Sequence, residues 1–235
     1  MRQIPRFGAF ATLLFTALMI NGMAQASETR QWNFQALLDG DPIGYHKFEL
    51  RRNGEEHILS SEAEFQVKFL FVTAYDYRHQ ATERWDANCL DTLGSVTDDN
   101  GDAFEVAGSV SQGGFVVESG SQRAELPSCV MSFAYWNPAM LQQSRLLNVQ
   151  NGRYLDVEIR REATEAFRVG PKTVSAHRYS LSAVDLDITL WYSADDYEWL
   201  GLESQIEKGY VLRYERMEPK AALAQGGTLV AQARQ

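Results

Sequence analysis

Residues 58–71 read ILSSEAEFQVKFLF, and this stretch decides the fold class. Its odd-numbered positions, from Leu59 to Phe71, are apolar or small, whereas its even-numbered positions from Ser60 to Lys68 are polar. Successive side chains of a β-strand point to opposite faces, so a period of two indicates a strand with one face on a core and the other in water. The stretch therefore predicts a long, half-buried β-strand.

The same alternation is found along most of the chain. Asn53-Gly54 is a strong hairpin signal because both residues tolerate positive φ, and Asp98-Asp99-Asn100-Gly101 closes a later strand. The predicted strands follow one another every ten or so residues, a spacing that is typical of barrels and sandwiches. Long strands with one apolar face can curl around a helix or a cavity.

One break interrupts the strands. Asn137 can cap a helix, Pro138 suits the first helical position, and residues 139–147 are mostly good helix formers. We therefore expect a mainly β fold, a single antiparallel and strongly curved half-barrel sheet of about 11 strands with one short helix.

The first 26 residues have the three-part layout of a secretory signal peptide. A basic head is followed by an uncharged apolar run from Phe7 to Met23 and by a small-x-small site that ends at Ala26. The alternative is a membrane anchor, but the run of about 17 residues is at the lower limit for a spanning helix. We expect cleavage after Ala26, a periplasmic location without a transmembrane segment, a curved β domain over residues 27–217, and a disordered tail over residues 218–235.

The chain is acidic, with 22 Lys and Arg against 31 Asp and Glu and a formal net charge of −9. Such a surface repels nucleic acid and disfavours stable binding to anionic membrane faces. Nucleic acid is therefore not an expected partner. Extraction of a single lipid into a cavity remains open, because the lining of a cavity and the charge of the surface are independent.

Cys89 and Cys129 are the chain's two cysteines. Export places them in an oxidising compartment, where we expect them to form a disulfide. The alternatives are two separate buried thiols or, with the least support, a catalytic thiol, because no CxxC pattern or neighbouring histidine accompanies either residue.

The most distinctive candidate site is one face of the strand predicted over residues 75–85, which carries Tyr77, His79, Glu83 and Trp85. His79 and Glu83 are four residues apart, so their backbones lie about 13 Å apart along a strand. That distance is too long for a direct acid–base pair, but both groups could line an aromatic cavity. The alternative is a half-buried face whose polar groups are satisfied by neighbouring strands.

A second candidate is Tyr135-Trp136-Asn137, which could gate a cavity at the helix entrance. The alternative is that Asn137 caps the helix while the two aromatic side chains pack. The four histidines are scattered without metal-ligand spacing. We expect no metal site, no cofactor and no catalytic residue set.

Several short motifs follow one another in order along nearly the whole mature chain. They are Asp41-Pro42-Ile43-Gly44, Glu83-Arg84-Trp85, Thr97-Asp98-Asp99-Asn100-Gly101, Ala134-Tyr135-Trp136-Asn137-Pro138, Leu147-Asn148, Leu190-Trp191-Tyr192 and Trp199-Leu200-Gly201-Leu202. In this order they resemble a domain-of-unknown-function family of exported proteobacterial β proteins. The resemblance implies an incomplete β-barrel with a helix, like that of the bacterial lipoprotein-localisation carriers and of an enzyme of violacein synthesis. It implies no catalytic residues, and fold alone does not fix an activity.

Our first hypothesis is a non-enzymatic periplasmic protein that binds or carries an apolar ligand, such as a lipid or acyl chain, in the concave face of the sheet. The alternatives are an enzyme with an aromatic pocket, using Tyr77, His79 and Glu83 for proton transfer, or an envelope assembly or interaction factor with an unknown protein partner. The predicted ligand-binding residues are Phe65, Phe69, Tyr77, His79, Glu83, Trp85, Tyr135 and Trp136.

Overall fold

The structure is a computed structural model that describes residues 28–69, 72–206 and 209–217. The predicted signal peptide, residues 1–26, and the predicted disordered tail, residues 218–235, lie outside the described residues. Both therefore stay predictions. Within the described ranges, no helix is long and apolar enough to cross a membrane.

The described chain is built almost entirely from strands, as the alternation predicts. The strands are β1 (Glu28–Leu38), β2 (Asp41–Asn53), β3 (Glu56–Phe69), β4 (Val72–Asp86), β5 (Cys89–Asp99), β6 (Asp102–Ser111), β7 (Gly114–Ser119), β8 (Gln122–Leu126), β9 (Arg145–Leu147), β10 (Tyr154–Asp156), β11 (Glu158–Val169), β12 (Lys172–Ala183), β13 (Leu186–Ser193), β14 (Trp199–Gln205) and β15 (Val211–Arg216).

Thirteen of these strands form one antiparallel sheet in the order β11-β12-β13-β14-β15-β1-β2-β3-β4-β5-β6-β7-β8. The first strand pairs with both β2 and β15, so β1 joins the amino-terminal and carboxy-terminal strands into a continuous sheet. The short strands β9 and β10 form a separate pair. The predicted fold class, a mainly β protein with a single large antiparallel sheet, is confirmed.

The sheet curves around one segment of its own chain, residues 127–157, which we call the plug. Six strand-to-strand steps separate β13 from β4, or about 29 Å in a flat sheet. Nevertheless, the Tyr192 hydroxyl of β13 donates to the Tyr135 carbonyl at 2.8 Å, and the Trp85 ring of β4 lies 5.6 Å from the Trp136 ring. Two adjacent plug residues therefore contact both walls, which is possible only because the sheet is strongly curved.

The plug contains a 3-10 helix over Pro138–Gln142, which is shorter than the helix predicted over residues 139–147. Its cap is as expected, because the Asn137 side chain accepts a hydrogen bond from the Ala139 amide at 3.0 Å. The chain becomes extended at Gln143 and continues as β9, where the Leu147 amide donates to the Met131 carbonyl at 2.9 Å. Burial of Leu146 and Leu147 in the core thus overrides the helix propensity of this stretch.

The beginning of the plug is fixed to the sheet by covalent and backbone bonds. Cys89 and Cys129 form the predicted disulfide, with 4.9 Å between their Cα atoms. Next to it, the Leu90 amide donates to the Val130 carbonyl at 2.8 Å. The disulfide is consistent with an oxidising, extracytoplasmic compartment.

We expect removal of the disulfide to destabilise the protein mainly through the unfolded chain. The Cys89→Ser/Cys129→Ser variant loses a link between residues 40 positions apart. The free energy of unfolding should fall by about 3–4 kcal/mol, as measured by urea denaturation. Wild-type protein kept in a reductant serves as the matched control and should show the same loss. An unchanged unfolding midpoint in both samples would contradict a structural role of the bridge.

Candidate functional site

Among the predicted ligand-binding residues, Phe65, Tyr77, His79, Glu83 and Trp85 lie on the inner face of the curved sheet. Tyr135 and Trp136 lie on the plug, and the structure divides these seven residues between two clusters. One cluster contains Phe65, Tyr77, His79 and Tyr135, and the other contains Glu83, Trp85 and Trp136. Phe69 ends β3, and its side chain lies outside the described part of the chain.

The first group, which we call the tyrosine–histidine cluster, is arranged by strand register. His46 of β2 and His79 of β4 are both paired with Ala63 of β3, and the small Ala63 side chain leaves their ring centroids 6.4 Å apart. His46 Nδ1 lies 3.0 Å from the Tyr214 hydroxyl, and His79 Nδ1 lies 2.8 Å from Thr97 Oγ1. The pairing of β2, β3 and β4 thus brings two imidazoles together inside the sheet.

Aromatic rings extend this cluster towards the end of the half-barrel at which β3 ends. Phe65 stacks on Tyr77 with 5.1 Å between ring centroids, and Tyr214 lies 6.2 Å from Phe65. The close pairing of β2 with β3 here requires glycine at position 44, because a Cβ on Gly44 would lie 1.9 Å from the Glu64 carbonyl oxygen. Gly44 belongs to one of the motifs that carry the family resemblance.

One buried polar atom of the cluster lacks a partner among the described residues. His46 Nε2 is buried and makes no hydrogen bond. Burial is the main cause of the raised pKa of Tyr77 and of Tyr135. Buried polar groups are usually paired, and the same lack of a partner is found at the indole nitrogens of Trp85 and Trp136 in the other cluster.

Burial keeps both imidazoles of the cluster uncharged at neutral pH. It lowers the pKa of His79 to about 4, and burial together with the nearby His79 holds the pKa of His46 well below its usual value. The cluster therefore offers neutral hydrogen-bonding groups and aromatic faces. The carboxylate of Asp99, beside the cluster, accepts a hydrogen bond from the Tyr75 hydroxyl at 2.7 Å.

The cluster is only partly covered. Tyr75, Tyr135 and His46 are half-buried, whereas Phe65, Tyr77 and His79 are buried. The plug covers the inner face more completely at the other end of the half-barrel.

The second group, which we call the Glu83 cluster, joins the sheet to the plug. Glu83 is 4% exposed, and its Oε2 accepts a hydrogen bond from the Ser132 hydroxyl of the plug at 2.6 Å. Burial raises the Glu83 pKa to about 7, against the lowering effect of this hydrogen bond. Trp85 meets Trp136 edge to face, and the plug fills this end of the interior. These residues therefore hold the plug in place rather than lining an open space.

Sequence reasoning missed His46, Thr97, Tyr214 and Ser132. A signal was present for two of them, because His46 shares even positions with Phe48 and Leu50, and Tyr214 lies two residues after Leu212. These alternations place both side chains on the inner face. Ser132 lies in the plug, where no periodicity indicates which side chains are buried.

Two hollows are found on the outer face of the sheet, with volumes of about 810 and 270 Å³. Outward-facing side chains of β1 to β6 line the larger one. Among the described residues, no group of three or more His, Cys, Asp or Glu side chains is arranged to hold a metal ion.

Comparison with known proteins shows similarity in sequence and in fold. The sequence model of a family described as "Domain of unknown function (DUF6134)" matches residues 34–217. No curated protein matches the chain. The fold is similar to the crystal structure of a β-barrel-like protein of domain of unknown function DUF1849 from Brucella abortus, with a TM-score of 0.60 and 9% identity, covering 80% of this chain and 95% of that one. At this identity the similarity concerns the fold alone.

We expect the buried Glu83 carboxyl to oppose the buried histidines in the pH dependence of stability. Between its ordinary pKa of 4.5 and its folded value of about 7, the folded state binds more protons than the unfolded state, so stability falls as the pH rises. His79 acts in the opposite direction between pH 4 and 6.5, because its folded pKa is lowered. The Glu83→Gln substitution removes the contribution to stability that falls as the pH rises and leaves the contribution of the histidines unchanged.

When the pH is raised from 5 to 8, the free energy of unfolding of Glu83→Gln should therefore increase relative to that of wild type by on the order of 2–3 kcal/mol. Urea denaturation at both pH values measures the difference. Glu105→Gln, which removes an exposed carboxylate of β6, is the control and should show no such gain. Equal effects of Glu83→Gln at both pH values would show that this carboxyl is not buried as described.

Proposed function

The chain belongs to the DUF6134 family, and because the description of that family assigns no activity, we propose a function from the described geometry. The protein is a non-catalytic binding protein of an extracytoplasmic compartment, and it holds a neutral apolar molecule at the tyrosine–histidine cluster. The likeness to lipoprotein-localisation carriers stays a prediction.

The partly exposed aromatic faces of the cluster, beside the unpartnered His46 Nε2, are the observation that carries this function. Phe65, Tyr77 and Tyr135 offer apolar ring surface, whose burial against a ligand is favourable by about 25 cal/mol per Å². The hydroxyls of Tyr77 and Tyr135 can each donate one hydrogen bond, and His46 Nε2 is a further polar atom without a partner. Apolar walls with a few convergent polar groups are typical of small-molecule sites.

The charge state of the cluster indicates which apolar molecules fit. Both imidazoles are neutral, and the described residues place no cation in the cluster that could pair with a carboxylate or a phosphate. An ionised head group would lose its hydration without compensation. An alcohol, ester or amide attached to an acyl chain suits this site better than an ionised fatty acid.

Binding is favoured over catalysis by His79 and Glu83 together because these two acid and base candidates lie in different clusters. His79 bonds to Thr97 on the sheet, whereas Glu83 bonds to Ser132 of the plug. General acid–base chemistry needs both groups within hydrogen-bond reach of one substrate. The plug also closes the Glu83 end, so a ligand enters at the tyrosine end.

Displacement of a neutral fluorescent dye tests this function. Wild-type protein should enhance the fluorescence of N-phenyl-1-naphthylamine, and monoolein should displace the dye at lower concentration than oleate. The Tyr77→Phe/Tyr135→Phe variant keeps the rings but loses two hydroxyls, so monoolein should bind roughly tenfold more weakly.

The matched control is Tyr45→Phe, which removes a hydroxyl on the outer face that donates to Glu62 at 2.5 Å. It should bind monoolein like wild type. No dye enhancement by wild type, or equal monoolein binding by all three proteins, would contradict an inner-face ligand site. The predicted role as an envelope assembly or interaction factor would then take precedence.

A further inference from the structure

The larger hollow on the outer face, which we call the waist groove, crosses six strands at their middle. Its volume is about 810 Å³, within the range of small-molecule sites. Two rows of directly paired residues form it between β3 and β6. One row is Ser60, Thr82, Gly94 and Ala107, and the other is Glu62, Gln80, Val96 and Glu105.

The floor of the groove lies at Gly94, where no neighbouring atom occupies the space that a side chain would take. A Cβ placed on Gly94 would meet nothing within 4 Å, and Gly94 does not adopt the positive φ that favours glycine. Glycine inside a strand weakens the strand and often marks a place where a ligand approaches the backbone closely. Local packing therefore does not require glycine at position 94, and the missing side chain leaves the backbone accessible from the groove.

The side chains around this floor combine small apolar surfaces with neutral hydrogen-bonding groups. Val96 is 60% exposed and adjoins Gly94 and Ala107, which together form a flat apolar strip. The Gln80 amide stands beside the strip, and the Asn33 amide lines the same groove on β1, four strand steps from Val96. Such a surface suits a molecule with flat C–H faces and hydroxyls around its edge.

The remaining lining residues add one lysine and three glutamates, Lys47, Glu49, Glu62 and Glu105. Part of this charge is already engaged, because Gln31 donates to Glu49 at 2.8 Å and Tyr45 donates to Glu62 at 2.5 Å. The excess of carboxylates repels polyanions. An added polypeptide strand would pair with a free sheet edge, and the groove instead crosses paired strands.

We infer that the waist groove binds a neutral glycan chain, which lies across the strands with its sugar rings over Gly94, Val96 and Ala107. Hydroxyl groups of the sugar then bond to Gln80 and Asn33. The groove and the tyrosine–histidine cluster lie on opposite faces of the sheet, so this site is independent of the inner-face ligand.

Affinity electrophoresis of the exported chain in gels that contain a soluble neutral polysaccharide tests the inference. The probes are glycol chitin, hydroxyethyl cellulose and dextran, and wild-type protein should be retarded by at least one of them. Gly94→Val fills the floor of the groove and should weaken the retardation at least tenfold. The same change should leave the thermal midpoint unchanged or raise it, because valine is favoured in strands.

Thr92→Val is the matched control, since Thr92 lies on the same strand and the same face but outside the groove lining. It should be retarded like wild type. The inference is overturned if no probe retards the wild type, or if Gly94→Val and Thr92→Val migrate alike. Monoolein binding, which depends on the inner face, should be the same in all three proteins.

Discussion

The structure depends on the need to cover the inner face of a thirteen-stranded sheet, which carries many large aromatic side chains. Trp32, Phe34, Trp85 and Trp199 are almost fully buried on that face. The chain covers them with its own plug. Adjacent plug residues contact β4 and β13, and these contacts fix the curvature of the sheet.

The plug also divides the interior into two chemically different ends. At one end Glu83 bonds to Ser132, and tryptophans complete a packed region beside the disulfide. At the other end tyrosines and uncharged histidines form a cluster whose members Tyr75, Tyr135 and His46 are half-buried. Because the same sheet forms both ends, a ligand at the tyrosine end would contact the fold's core directly. Binding there should therefore stabilise the folded protein.

Much of the fold follows from the sequence because inner and outer residues alternate strictly in most strands. The alternation from Leu59 to Val67 and from Tyr77 to Trp85 predicts β3, β4 and their inner faces. Alternation does not predict β8, because the side chains of this strand are nearly all exposed. It does not predict the burial of the plug either, because that burial follows from tertiary packing. The proximity of His46 to His79 depends on the register of three strands, which the sequence alone does not specify.

A crystal structure of the protein with a monoglyceride that carries bromine on its acyl chain would test the central claim most directly. The account predicts anomalous bromine density between Tyr77 and Tyr135, with Trp136 still packed against Trp85 and Ser132 still bonded to Glu83. Bromine density in the space of a displaced plug, or density confined to the outer face, would contradict it.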